Sequence, residues 1–398
     1  MLLGLVVGPL LGRSAQPLGE LGGLVIQLIK TVATPLLFLA IISAVLKTEV
    51  SWRQGGRLIV FAVLNTCIAL AIGMTLSNTL QPGRHMNLPT SDATRAAAVT
   101  YADKKVDLLE TLSGYVPKDW VSPFLNNLII PIIVLALMLG FALRAVRAEQ
   151  QAQGSAAYKV IEDSIATFLR VMEVILIWVI RLIPLAVFGV VAKTIGQYGY
   201  APLKGLAAYV GVGLLGLALH VLLTYQAWIR FYVGMKLSRF WRAAREPVAL
   251  ALGTNSSLAT LPVTLRALDD LGVSKSASAM GACVGTNLNN DGIVLYEGMA
   301  VLFVAQACGI ELSVGEQLLA AGTALIAAMG VAGVPEAGFI SLALVLSTVG
   351  LPLELLPLLL TVDWIIARAR SVTNALSDMV LSILIDRSGV PAAAPKPR

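Results

Sequence analysis

The segment VDWIIARARSVTNALSD, residues 362–378, places polar side chains inside a long apolar stretch near the end of the chain. A helix turns by about 100° per residue, so a helix here brings four of them within about 80° of one another. They are Asp363, Arg370, Asn374 and Asp378. Arg368 lies about 140° away from this polar stripe. Ionisable groups inside an apolar span cost about 2.5–3.5 kcal/mol each, so we expect the stripe to face a cavity or a partner. An ion-pair ladder within the helix is the alternative.

The composition indicates an integral membrane protein. The chain has 398 residues, of which 57% are hydrophobic and 13% charged, and a mean hydropathy of +0.82. Soluble domains have about 45–50% apolar and about 25% charged residues, so a soluble enzyme is disfavoured. The net charge of +6 does not indicate a nucleic-acid partner, because the basic residues fall between apolar stretches. The three cysteines lack CxxC spacing and predict neither a disulfide framework nor a zinc site.

Several apolar stretches are long enough to cross a bilayer, and basic clusters follow only every second one of them. They cover residues 24–46, 58–80, 124–143, 171–191 and 206–229, and the apolar residues 1–12 predict a short first helix. Basic residues follow the stretches that end near 46, 143 and 229, and they also end the chain. The positive-inside rule therefore predicts cytoplasmic termini and an extracellular loop at 81–119.

The apolar stretches after residue 247 are interrupted. Polar or glycine-rich breaks occur at 253–257, 285–292 and 330–338. Non-helical backbone at membrane depth is tolerated only where it is buried in protein or lines an aqueous cavity. Paired interrupted segments are typical of transporter binding sites, so we expect these breaks and the polar stripe to form one site.

The chemistry of the breaks suggests ions of both signs. The middle break carries four oxygen-bearing side chains that suit a hard cation: Asn287, Asn289, Asn290 and Asp291. The alternative is a polar network that seals the unwound turn. Ser256 and Ser257, in the first break, could receive an anion. No histidine or lysine lies nearby in the sequence to make either serine a nucleophile. His220, alone on an apolar stretch, is interpreted as a core residue.

With these motifs, the chain resembles the dicarboxylate/amino acid:cation symporter family, which includes the glutamate transporters. The resemblance covers nearly the whole chain, and its most specific pieces are Thr260-Leu-Pro-Val-Thr264, Asn289-Asn-Asp-Gly292, Ala332-Gly-Val-Pro335 and the polar stripe. It implies an all-α membrane protein with eight transmembrane helices, two re-entrant hairpins and inverted repeats. It also implies a homotrimer in the inner (plasma) membrane that works as an elevator.

The resemblance divides the chain into segments. They are the first three helices (1–80), an extracellular loop (81–119), helices four to six (120–235), a first hairpin (236–272), a broken seventh helix (273–310), a second hairpin (311–351), an eighth helix (352–387) and a cytoplasmic tail (388–398).

The resemblance also implies roles for individual residues. Arg370 would bind a substrate carboxylate and Asn374 the other end of the substrate. The remaining substrate-binding residues would be Asn255, Ser256, Ser257, Gly333, Val334 and Ala367. One cation site would be lined by Gly285, Asn289, Asn374 and Asp378, and another by Thr66, Asn289 and Asp291, with Asn287 beside them. Glu297 is a candidate for proton-linked movement, and Glu336 lies at the tip of the gating hairpin.

One departure from the family pattern bears on the substrate. Amino-acid carriers have an aspartate for the substrate's amino group where this chain has Ala367, whereas Arg370 is kept. This favours symport of a small C4-type dicarboxylate such as succinate, driven by Na⁺ or H⁺ and without a cofactor. The alternatives are an amino-acid symporter in which Glu336 supplies the missing charge, a channel, and an intramembrane hydrolase using Asp291 and Asp363.

Overall fold

The computed structural model describes residues 2–47, 52–86, 116–126, 128–328, 337–353 and 355–389, and the regular structure within them is entirely helical. The prediction of an all-helical protein is therefore confirmed for these residues. The first half contains α1 (Leu2–Leu11), α2 (Gln16–Lys47), α3 (Trp52–Leu80), α4 (Ser122–Leu125), α5 (Ile129–Ala152), α6 (Tyr158–Ile180), α7 (Ile183–Tyr198) and α8 (Ala201–Leu219). The second half contains α9 (Leu237–Thr254), α10 (Ser257–Asp270), α11 (Lys275–Ser278), α12 (Asp291–Ala307), α13 (Val314–Ala328), α14 (Ala337–Thr348) and α15 (Leu356–Gly389).

Shorter helical pieces of other types connect several of these elements. Two π-helical segments, His220–Tyr225 and Trp228–Tyr232, continue α8, and a third, Ala279–Val284, follows α11. A 3-10 turn, Gly285–Asn287, then precedes α12. The middle break of the sequence is thus an unwinding between the third π segment and α12.

Four helical runs are long and apolar enough to cross a membrane, judged by length and composition over the described residues. They are Gly55–Leu80, Pro131–Ala152, Tyr158–Tyr198 and Ala201–Tyr232. Large apolar side chains point outward from these runs, and Phe231 is 85% exposed. An apolar outer surface is what a lipid environment requires.

The apolar stretch 171–191 lies within the run Tyr158–Tyr198, but it is not one uninterrupted α-helix as the sequence predicts. It is shared by α6 and α7, with a break at Arg181 and Leu182. Pro184 lies in the first turn of α7, where its missing N–H has no intrahelical partner to lose. Apolar periodicity alone does not reveal this break, because the side chains on both sides of it are equally apolar.

The first break forms a tight turn between two packed helices. α9 ends at Thr254, and Asn255 adopts the left-handed conformation with φ 54° and ψ 36°. The Ser256 hydroxyl caps α10 by accepting the backbone N–H of Ala259 at 3.2 Å. The α9–α10 pair packs against α15, and the α13–α14 pair packs against α12.

α15 passes through two separate apolar cores. Its first part, including Val362 and Ile366, belongs to a core formed mainly with α2, α7, α8, α12, α13 and α14. Its last part, including Leu376 and Leu384, belongs to a second core with α9, α10 and the π segments. The polar stripe of α15 lies at the junction between these two cores.

Candidate functional site

Arg370 is held by an acidic and an aromatic side chain at the centre of the junction. Its guanidinium Nη1 and Nη2 donate to Oδ1 and Oδ2 of Asp363, each at 3.0 Å. The Arg370 Cζ lies 4.0 Å from the ring centroid of Tyr296, a distance at which a cation is attracted to the ring face. The side chains of Arg370 and Asp363 are only 4% and 1% exposed. The alternative of an ion pair within the helix is therefore realised at this point of the stripe.

Arg368, by contrast, lies on the outer side of α15. Its Nη1 donates to the carbonyl of Trp364 at 2.8 Å, and its guanidinium lies over the ring of Trp364, which is 55% exposed. The opposite directions of the two arginines follow from their spacing along the helix.

Asn374 joins the stripe to the start of α12. Its Oδ1 accepts the backbone N–H of Gly292 at 2.8 Å, and its Nδ2 donates to Oδ1 of Asn290 at 3.3 Å. The backbone at Gly292 approaches so closely that a Cβ there would lie 2.7 Å from the carbonyl oxygen of Arg370. A glycine at this position lets the broken helix pack directly on α15.

The tip of the α9–α10 pair contacts the same helix. The Ser371 hydroxyl donates to Oδ1 of Asn255 at 3.1 Å. The backbone carbonyl of Ser257 accepts the hydroxyl of Thr260 at 2.5 Å. The tip residues Asn255, Ser256 and Ser257 thus form a turn whose asparagine lies beside the residue that follows Arg370.

Two buried oxygens near the middle break lack partners. Oδ1 of Asp378 and Oδ1 of Asn289 accept no hydrogen bond from the residues that the structure describes, although both side chains are buried. The carbonyl oxygen of Gly285, in contrast, accepts the backbone N–H groups of Leu288 and Asn289 at 2.8 and 2.7 Å. Unpartnered buried acceptors are costly, and a hard cation is a ligand that would satisfy them.

Asp291 has the opposite environment, with several donors around its carboxylate. Thr66 Oγ1 donates to Oδ1 at 3.0 Å, while the Tyr225 hydroxyl and Ser377 Oγ donate to Oδ2 at 2.9 and 2.6 Å. His220 Nε2 lies 3.3 Å from the same Oδ2. Asn289 reaches this group indirectly, because its Nδ2 donates to Ser377 Oγ.

Three of these residues were not identified from the sequence as neighbours of Asp291. His220 is fully buried, as a core residue should be, but its ring contacts the Asp291 carboxylate. Tyr225 carries no motif, and Ser377 precedes Asp378 by one position. The only available signal is that polar His220 and Tyr225 interrupt an otherwise apolar stretch.

Glu297 lies six residues after Asp291 on α12, and its side chain is fully buried. Its Oε1 accepts a hydrogen bond from the hydroxyl of Ser341 on α14. Its Oε2 has no partner among the described residues. Gly338, one turn before Ser341, packs on the Arg370 guanidinium, and a Cβ there would lie 3.0 Å from Arg370 Cζ. Glu297 and Arg370 therefore both adjoin the beginning of α14.

The other residues predicted for the site fall into two groups. Ala367 is buried on α15 and 2% exposed. Gly333, Val334 and Glu336 lie outside the described residues, as does the side chain of Asn287. The described part of the site therefore offers one guanidinium, one set of unpartnered oxygens and a carboxylate surrounded by donors. A guanidinium is suited to a carboxylate, and unpartnered oxygens are suited to a hard cation.

Comparison with known proteins agrees with this chemistry. The model of the family described as "Sodium:dicarboxylate symporter family" matches residues 1–388 of this chain. A C4-dicarboxylate transport protein of Deinococcus radiodurans is 32% identical over 394 residues, which cover 98% of this chain and 87% of that protein. The C4-dicarboxylate transport protein of Pectobacterium atrosepticum is 33% identical over 397 residues, covering 97% of this chain and 90% of that protein.

Proposed function

The chain belongs to the sodium:dicarboxylate symporter family, and we propose that it imports a small C4-type dicarboxylate together with a cation. It is a membrane transporter and not an enzyme. The observation that carries the proposal is the buried Arg370, whose guanidinium already binds a carboxylate in the two-pronged geometry that a dicarboxylate would need.

The absence of an acidic side chain at position 367 supports a dicarboxylate over an amino acid. Ala367 lies on the buried face of α15 between Asp363 and Arg370, where its methyl group cannot bind a substrate ammonium. Asp363 is engaged by Arg370 through both of its oxygens. A substrate with two carboxylates and no ammonium is compatible with these groups.

Sodium is the cation that we propose. The unpartnered oxygens of Asp378 and Asn289 are hard ligands, and a monovalent cation between them would satisfy both. Asn374 lies on α15 one turn from Arg370 and one turn from Asp378, so substrate and cation would share one asparagine. Glu297, buried and partly unpartnered, is our candidate for proton-linked movement during the cycle.

The finer architecture belongs to the same proposal. We infer eight transmembrane helices and two re-entrant hairpins, formed by α9–α10 and α13–α14, with both termini in the cytoplasm. Three protomers would each move the site across the inner (plasma) membrane as an elevator. The packing of α9–α10 on α15 and of α13–α14 on α12 supports a unit that moves together with its site.

Uptake into liposomes tests the function. Purified protein is reconstituted, and radiolabelled succinate uptake is measured under an inward sodium gradient, then under an inward proton gradient, then with neither. We expect concentrative uptake under the sodium gradient. Labelled aspartate, used in counter-flow against succinate, should not exchange; efficient aspartate exchange with no succinate exchange would contradict the dicarboxylate proposal.

A further inference from the structure

Asp291 is surrounded by hydrogen-bond donors of the protein itself. An ionised carboxylate offers about four lone-pair sites. Two hydroxyls, from Tyr225 and Ser377, and the His220 ring occupy Oδ2, while the Thr66 hydroxyl occupies Oδ1. His220 Nδ1 has no partner in the described part of the chain, so we assign the proton to Nε2, where it is donated to Asp291.

Two of the donors, His220 and Tyr225, reach Asp291 from the π segment that follows α8. His220 and Tyr225 are the first and last residues of the π segment. In an α-helix, side chains five positions apart point about 140° away from each other. The i→i+5 spacing of a π-helix instead brings them to one face, and π segments are frequent at functional sites. The two rings are in edge contact, with centroids 4.7 Å apart, and both face the same carboxylate.

Asp378, in the same region, differs from Asp291 because it has an oxygen that is available to a cation. Its Oδ1 and the Oδ1 of Asn289 are buried acceptors without described partners. At Asp291, the positive ends of O–H and N–H dipoles already point at the carboxylate. An imidazole N–H is also not a ligand that sodium accepts, because hard cations prefer oxygen.

We propose that these donors, led by His220 and Tyr225, take the place of a coupling ion at Asp291. Asp291 is then a positioning residue that fixes the start of α12, and it does not bind sodium. The carrier accordingly couples transport through one sodium site fewer than the family resemblance implies. The statement about coupling rests on the proposed function, whereas the donor set stands on geometry alone.

A double-mutant cycle tests the donor set without sodium or substrate. The melting temperature is measured in detergent and potassium buffer for Asp291→Asn, Tyr225→Phe and the double variant. We expect each single variant to lower Tm and the double variant to fall by less than the sum of the two. Tyr232→Phe, a 45% exposed tyrosine in the next π segment, is the control and should add independently to Asp291→Asn. Full additivity for Tyr225 would overturn the proposal.

Sodium binding tests the coupling statement. Radioactive sodium bound per protomer and its apparent affinity are measured for the wild type, Asp291→Asn and Asp378→Asn. We expect Asp291→Asn to keep the wild-type number of ions and an affinity within about threefold, and Asp378→Asn to lose more than about tenfold. Thr66→Val removes a hydroxyl from the same group with little change of shape, so it gives the answer if Asp291→Asn fails to fold.

Failure of the inference about Asp291 and failure of the proposed function give different results. A folded Asp291→Asn or Thr66→Val protein that loses one bound sodium would overturn the inference, even with succinate transport intact in the wild type. A wild-type protein that binds no sodium would contradict the proposed coupling ion, while the double-mutant cycle still decides whether Tyr225 holds Asp291.

Discussion

Arg370 and Asp363 lie seven residues apart on α15 and share two hydrogen bonds of 3.0 Å each. The carboxylate of Asp363 therefore occupies the Nη1–Nη2 edge of the guanidinium, the edge to which we propose that a substrate carboxylate binds. Asp363 thus neutralises the buried arginine, and a substrate that binds Arg370 as we propose would replace or rearrange this contact.

Asp363→Asn should make the empty protein less stable and more responsive to substrate. Removing one partner of a buried ion pair costs about 3–5 kcal/mol, and a dicarboxylate can restore the missing negative charge. We expect a lower Tm without ligand and a larger succinate-induced rise than in the wild type, both measured by thermal unfolding in detergent. A succinate-induced rise equal to or smaller than that of the wild type would argue against competition between Asp363 and substrate.

Arg370→Ala should abolish measurable succinate uptake. Truncating one member of a buried charge pair costs about 2–5 kcal/mol, or roughly 30- to 4,000-fold in affinity. Arg370→Lys should remain strongly impaired, because an ammonium cannot form two parallel bonds to a carboxylate. Arg368→Ala is the matched control, since Arg368 points outward from the same helix, and it should transport normally. Normal uptake by Arg370→Ala would refute the proposed substrate site.

Glu297→Gln should flatten the dependence of succinate uptake on pH. The glutamine keeps the shape and can still accept from Ser341, but it cannot exchange a proton. Initial uptake rates across a pH series, at a fixed sodium gradient, measure the effect. Glu316→Gln alters another buried carboxylate, which accepts the backbone N–H of Ser313 at 2.7 Å and should leave the profile unchanged. Superimposable profiles for Glu297→Gln and wild type would make Glu297 a structural residue only.

Gly292→Ala should destabilise the protein by about 1–3 kcal/mol, as expected for overpacking. The added Cβ would press on the carbonyl of Arg370, 2.7 Å away, and on Oδ1 of Asn374, 3.0 Å away. Succinate affinity should fall as well, because α12 would be pushed off the substrate residues. Gly253→Ala, near the end of α9 where the added Cβ would meet no atom within 4 Å apart from the helix's own backbone, should be neutral or slightly stabilising. Equal melting temperatures for the two variants would contradict the close approach.

The sequence predicts much of this molecule because its signals are local. Low charge and long apolar stretches predict membrane helices, and the 3.6-residue period predicts that Asp363 and Arg370 share a face. The breaks in the apolar stretches predict unwound backbone, and the structure has a turn at Asn255 and a non-α segment before Asp291. These features depend on the order of residues within one helix or one turn.

The features that the sequence does not predict depend on changes of helix type or on contacts between distant segments. The π segment brings His220 and Tyr225 to one face, which a 3.6-residue period assigns to different faces. The contact of Asn255 with Ser371 joins residues 116 positions apart. No local pattern encodes such a contact, because it forms only after α9 and α15 have packed together.

The position of α15 in both apolar cores has a consequence for hydrogen–deuterium exchange. A backbone amide in a helix exchanges when the cooperative unit that protects it opens. The amides around Arg370 lie between Ile366, anchored in one core, and Leu376, anchored in the other. If only one core opens, this segment remains packed in the other core at its opposite end. The centre of the proposed binding site should therefore be among the slowest-exchanging parts of the chain, so its residues keep their mutual spacing while surrounding segments fluctuate.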